Sequence, residues 1–178
     1  MIESKKGLIV LVGMVGLMAI LYTLLRLIPL PQAYQVSQDE ISLLSINPVD
    51  VSTAQTQWND ERHIYTQNDG QWYRDGEIAD YNATDLRITY MSYLYSDNLV
   101  SDAAQDLEPY GLDTPQAEAS FETFSGECYT ILFGIETVDQ KSRYMMIEGG
   151  SAVYTIPKEA FEVIFQDETE EDVNNEDS

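Results

Sequence analysis

The sequence has one cysteine, Cys128, and one histidine, His63. A lone cysteine excludes an intrachain disulfide, so core packing must hold the fold. Zinc sites need several Cys or His ligands, and these are missing. His63 stands between Arg62 and Ile64 in a strand-like run. No serine sits in a nucleophile elbow, and nothing around Cys128 supplies a base, which argues against Ser–His–Asp and Cys–His hydrolysis. Cys128 lies in an apolar strand pattern and is expected to be a small buried hydrophobe rather than a reactive thiol. Gly149-Gly150 lacks the lysine and helix that follow a phosphate-cradling loop. No cofactor is implied.

Basic residues are also few. There are 9 Lys plus Arg against 31 Asp plus Glu, a formal net charge of −22. Beyond residue 30 the counts are 6 and 30, a net charge of −24. Nucleic acid needs a basic footprint and is excluded as a partner. Anionic headgroups are poor partners of this part for the same reason. Such acidity favours solubility and attraction to basic surfaces. Weak divalent-cation binding fits the excess of carboxylates, although no EF-hand spacing is present.

Charge is absent altogether from residues 7–25, GLIVLVGMVGLMAILYTLL. As a helix these 19 residues reach about 28 Å, close to the hydrocarbon thickness of a bilayer. The missing polar face argues against a buried core helix. A cleaved signal peptide is the rival reading, but its apolar core is shorter and a small-x-small site is poor here. Lys5 and Lys6 precede the stretch and Arg26 follows it, which favours a cytoplasmic N-terminus. Pro29 and Pro31 stop the helix. The expected organisation is a cytoplasmic 1–6, a transmembrane helix 7–28 and a linker 29–40. An extracytoplasmic domain 41–166 and a disordered acidic tail 167–178 follow.

Within the domain, residues 41–46 read as a first strand and 51–58 as a polar second one. Asn68-Asp69-Gly70 is the composition of a tight hairpin joining strands 62–67 and 71–74, with Trp72 packed across from Tyr65 or its neighbours. Residues 82–96 read as a helix capped by Asn82, with a narrow polar stripe at Asp85, Thr89, Ser92 and Ser96. Arg87 falls inside the wide apolar arc and must snorkel or find a carboxylate. Two prolines and a glycine between Pro109 and Pro115 make an ordered connector, with Tyr110 and Leu112 tucked inward. Ala117, Ala119 and Phe121 alternate with polar residues as a half-wet strand, and 127–133 is apolar on both faces like a central strand. Strands 143–148 and 152–156 form a hairpin about Gly149-Gly150. Pro157 then opens a short helix, 158–165. The class is α+β, an antiparallel-sheet domain with two helices. Strands-then-helix order recurs in 41–100 and 117–165, which raises an internal duplication.

Several of these residues, in this order, resemble the domain-of-unknown-function 4340 family over about residues 40–165. The resemblance rests on Gly70-Gln71-Trp72, Leu99-Val100, the run Asp106-Leu107-Glu108-Pro109-Tyr110-Gly111-Leu112-Asp113-Thr114-Pro115, and Leu132-Phe133-Gly134. It continues through Tyr144-Met145-Met146-Ile147-Glu148-Gly149 and Val153-Tyr154. Its signature positions are Tyr110, Gly111, Leu112, Asp113, Pro115, Gly134, Tyr144, Gly149 and Tyr154. The chain departs from usual members in being shorter, in carrying a single copy and in its acidic tail. The resemblance implies a membrane helix before an extracytoplasmic domain. Some members occur with ABC-type transporter or gliding-motility components, which implies an accessory role. It supplies no catalytic residues.

The expectation is therefore a single-pass, non-catalytic interaction module in the cell membrane. It meets the bilayer through residues 7–28 and a membrane or envelope protein through its domain. The alternative is a binding protein for an envelope peptide or glycan, using exposed aromatics such as Trp58, Trp72 or Tyr154 in a concave pocket. A hydrolase acting through paired carboxylates is the remotest reading.

Overall fold

A computed structural model describes residues 40–166 of the chain. The expected cytoplasmic segment 1–6, transmembrane helix 7–28, all of the linker but Glu40, and the acidic tail 167–178 lie outside the described residues. Among the described residues no helix is long and apolar enough to cross a membrane.

The strands are β1 (Ile41–Ser42), β2 (Val51–Trp58), β3 (Glu61–Asn68), β4 (Gln71–Arg74), β5 (Glu77–Ile78), β6 (Tyr95–Ser96), β7 (Asn98–Ser101), β8 (Ala117–Thr123), β9 (Cys128–Glu136), β10 (Ser142–Ile147) and β11 (Val153–Pro157). Helix α1 (Tyr81–Ser92) follows β5, and α2 (Lys158–Phe165) follows β11. One antiparallel sheet runs β5-β4-β3-β2-β8-β9-β10-β11-β7, while β1 pairs with β6 apart from it. The fold is thus α+β, with antiparallel sheets and two helices. Strands followed by a helix recur, β2–β5 before α1 and β8–β11 before α2, but β6 and β7 follow α1 within residues 41–100, so the expected strands-then-helix order is seen in part. Two four-strand meanders, β2–β5 and β8–β11, meet through their first strands, with Ala54 opposite Phe121 and Thr56 opposite Ala119.

Local chemistry explains the first meander. Its turns hold two residues each: Asn59-Asp60, Asp69-Gly70 and Asp75-Gly76. All six have positive φ, between 50° and 91°. Two successive positive φ values give the turn whose twist matches the flanking strands, and Asn, Asp and Gly reach that region at least cost. Alternation then sends every second side chain to one face. Ala54, Tyr65, Trp72, Ala119, Phe121, Ile131 and Phe133 meet Ile88 and Met91 of α1 and Phe161 and Ile164 of α2 there.

Both helices depart from or confirm the sequence reading for identifiable reasons. The cap of α1 is Asp80, whose carboxylate accepts from the Ala83 amide at 2.8 Å, not Asn82. The helix also ends at Ser92 rather than Ser96. The lead-in to β2 takes the carbonyls at and just past its end: Ile46 donates to Ser92 O at 3.0 Å, and Leu43 and Leu44 donate to Leu94 O. Orphaned carbonyls at a helix end need such partners, and Tyr95 and Ser96 pair with Ser42 and Ile41 instead of continuing the helix. That lead-in also limits the expected first strand, 41–46, to Ile41–Ser42. The polar stripe does not face water: Ser92 and Ser96 are buried, while Leu86 is exposed. In α2 the reading holds, with Phe161 and Ile164 buried and Phe165 packed beside them.

Arg87 neither snorkels nor needs to. It is buried, and its Nε, Nη1 and Nη2 donate to Ile164 O at 2.8 Å, Tyr65 Oη at 2.7 Å and Gln166 O at 2.8 Å. One guanidinium thereby satisfies the C-terminal carbonyls of α2 and fixes α1 and β3 to them. Cys128 corrects another expectation. It is exposed, because it opens β9 opposite exposed Glu122, on the face away from the helices.

Candidate functional site

Four signature residues, Tyr110, Leu112, Gly134 and Tyr144, meet on the face of the sheet away from the helices. Leu107 leads a single 3-10 turn, Glu108–Tyr110, that Gly111 ends at φ 65°, a left-handed conformation suited to glycine. This turn presses the connector onto β9. Gly134 has no room for a side chain: a Cβ there would overlap the Tyr110 carbonyl oxygen. A Cβ on Gly111 would meet Ile135 Cγ2 at 2.7 Å. Once seated, Tyr110 packs edge-on against Tyr144, ring centroids 5.2 Å apart. Leu112 is buried with Met146 and Val153 in a second apolar cluster. The inward turn expected of Tyr110 and Leu112 is therefore seen, half-buried for the tyrosine and complete for the leucine. Asp113 and Pro115 stay exposed, and Gly149, φ 80°, serves the β10–β11 turn with open space around it. Residues 107–112 thus form a strap across β9 and β10.

The proposed aromatic contacts separate. Trp72 is 1% exposed inside the core, so it cannot meet a ligand at the surface. It pairs across the ladder with Gln67, two residues from Tyr65 and on the same face, and joins Tyr65 in the core. Tyr154 is half-buried against the main core. Trp58 is half-buried too, edge-on to Phe161 at 5.4 Å and Phe165 at 6.1 Å. It lines a concavity, a 360 Å³ cleft with Asn59, Glu61, His63, Phe165 and Gln166. The cleft forms because the tight Asn59-Asp60 turn carries the β2–β3 hairpin past the end of α2.

His63 at its floor is fully occupied. Arg74 Nη2 lies 2.8 Å from Nε2 and can only donate, so Nε2 accepts. Nδ1 then carries the proton and donates to Asp75 Oδ2 at 2.8 Å. The His63 hydrogen bond, with a second from the Ile64 amide, holds the Asp75 carboxyl below the usual carboxylate range. Among the described residues no group of three or more His, Cys, Asp or Glu is placed to hold a metal ion.

A second concavity was not expected from the sequence. It measures 680 Å³ and lies between the Pro48–Asp50 turn and the β8–β9 turn. Beside it Phe124 is 65% exposed and Val49 66% exposed. The one sequence cue is an aromatic residue directly before Ser125-Gly126, in a turn where polar residues are the rule.

A family model described as a domain of unknown function, DUF4340, matches residues 78–170. The match takes in α1, the strap and the whole second meander. It begins at Ile78, so the resemblance is narrower than 40–165 and leaves out Gly70-Gln71-Trp72. No curated protein and no solved structure matches the chain. The chain belongs to the DUF4340 family.

Proposed function

We propose that this member of the DUF4340 family is a single-pass membrane-anchored interaction module, with its N-terminus in the cytoplasm and its α+β domain outside. The charge-free residues 7–25 carry the reading. The domain is a non-catalytic accessory to an envelope or transporter-type assembly. Its only histidine supports this, since both ring nitrogens are already engaged and neither is left to move a substrate proton. Two recurring meanders suit an origin by internal duplication.

Protease added to intact cells tests the location. Cleavage of the domain, with a membrane-bound fragment holding residues 1–28, is expected. An untouched domain, or soluble protein in the medium lacking its first thirty residues, overturns it.

The Trp58 cleft favours a second reading, a receptor for an envelope peptide or glycan. An aromatic wall beside Asn59 and Glu61 suits such ligands. Fluorescence titration of the wild type and Trp58→Phe with muropeptides and oligosaccharides decides it. A saturable change lost in the variant is expected, and its absence overturns this reading alone.

A further inference from the structure

We infer that the cleft between the Pro48–Asp50 turn and the β8–β9 turn receives an extended peptide segment of a membrane-protein partner, one with an apolar side chain beside lysine or arginine. This names the contact surface of the interaction module and rests on that reading. The first observation is exposure. Ile78 and Val138 are also open, at 75% and 100%, on the edge strand β5 and in the β9–β10 turn, but neither lines this cleft or the Trp58 cleft. Isolated apolar exposure is ordinary on any surface; apolar groups gathered at a concavity mark an interaction site. Phe124 and Ile46 line this cleft, and exposed Val49 stands in the Pro48–Asp50 turn between two of its lining residues, Asn47 and Asp50.

The second observation is rigidity. The Phe124 amide donates to Asp50 O at 2.8 Å, which ties the two turns that form the walls. Asn47 caps the Pro48–Asp50 turn from one side, and Thr123 bonds Ser125 at 2.8 Å on the other. A wall already ordered before binding loses little entropy when a ligand arrives.

Charge selects the occupant. Asp50 and Glu127 line the cleft and no lysine or arginine does. An anionic lipid surface is repelled there, whereas a basic segment is drawn by the cleft and by the acidic chain as a whole. Reach is adequate for a partner in the same bilayer. The twelve residues 29–40 span about 20 Å as a coil and about 40 Å when extended.

The test uses the purified full-length chain in detergent micelles. The probe is an alternating leucine–lysine decapeptide carrying a benzophenone, and the control replaces lysine by glutamate. Adducts located by mass spectrometry are expected on residues 45–50 and 123–127, with none from the control. Asp50→Asn with Glu127→Gln should lower their yield about tenfold, the loss of two exposed charge contacts. Adducts scattered over the acidic surface, or an unchanged yield in the double variant, overturn the proposal. So does protection of residues 45–50 and 123–127 from hydrogen exchange by phosphatidylglycerol vesicles with no probe present, which would assign the surface to lipid. The mapping is indifferent to the side of the membrane on which the domain lies. Its failure is therefore distinct from failure of protease exposure.

Discussion

The two meanders share an order of strands and differ in what covers them. On the face away from the helices, β9 and β10 present Leu132, Tyr144 and Met146, and the strap lies over them. The equivalent face of β2 and β3 presents Thr53 opposite Thr66 and Gln55 opposite Ile64, with Ile64 43% exposed. The segment before β8 crosses to that outer face. The segment before β2 stays on the helix side, where Leu43, Leu44 and Ile46 join the main core. Equal topology therefore does not require equal burial. An antiparallel strand is apolar on both faces only where a second layer exists to bury the outer one. Turns differ in the same sense: two residues each in the first meander, four and then five and five in the second.

The strongest test of this asymmetry is Gly134→Ala. A methyl group there must displace the Tyr110 carbonyl or β9 itself. A loss of about 3 kcal/mol is expected, at the upper end for overpacking. Chemical denaturation of the variant would measure it, and an unchanged midpoint would break the close contact between strap and sheet. Next is a matched pair. Leu112→Ala removes a buried side chain under the strap and should cost about 2–4 kcal/mol. Ile64→Ala, on the bare half, should stay within about 0.5 kcal/mol. Equal losses would mean that the first meander is covered after all.

Smaller effects sharpen the local account. Asp80→Ala should cost about 1 kcal/mol as a lost helix cap. Asn82→Ala should change stability by less than about 0.5 kcal/mol, and the reverse order would restore Asn82 as the cap. Asp75→Asn should cost less than about 1 kcal/mol at neutral pH, because this carboxylate is half exposed. Its pKa is lowered in the folded state, so its contribution is present above the ordinary carboxylate range and is lost as pH falls through its folded value. Melting curves of wild type and variant should converge in acid. A difference that persists there would assign the effect to packing.

Much of this fold was legible because its signals are short-ranged. Asn68-Asp69-Gly70 announced its turn, Ala117–Phe121 its alternation and Pro157 the start of α2. The end of α1 was not legible, because Leu43, Leu44 and Ile46 lie some fifty residues earlier and still claim the carbonyls of Ser92 and Leu94 at and just past it. Trp72 and Cys128 were misplaced for a related reason. An aromatic in a polar hairpin and a cysteine in an apolar run give no sign of which face the second layer covers. Trp58 was named for a concave pocket, but the make-up of neither concavity was visible. Phe124 and Asp50 line one, and Trp58 and Gln166 the other, and each pair is brought together only by the assembled sheet and helix.

The sequence by itself determined the α+β class, the tight turns, the inward positions of the strap and the acidic character of the surface. Each follows from backbone preference, side-chain alternation or formal charge, and these act within a few residues or by simple addition. The tertiary structure alone decided that β2 and β8 join the two meanders, that Arg87 closes α2, and that one half of the outer face is strapped while the other is bare. Those outcomes depend on which distant surfaces bury one another, and burial is a property of pairs that no single stretch of chain contains.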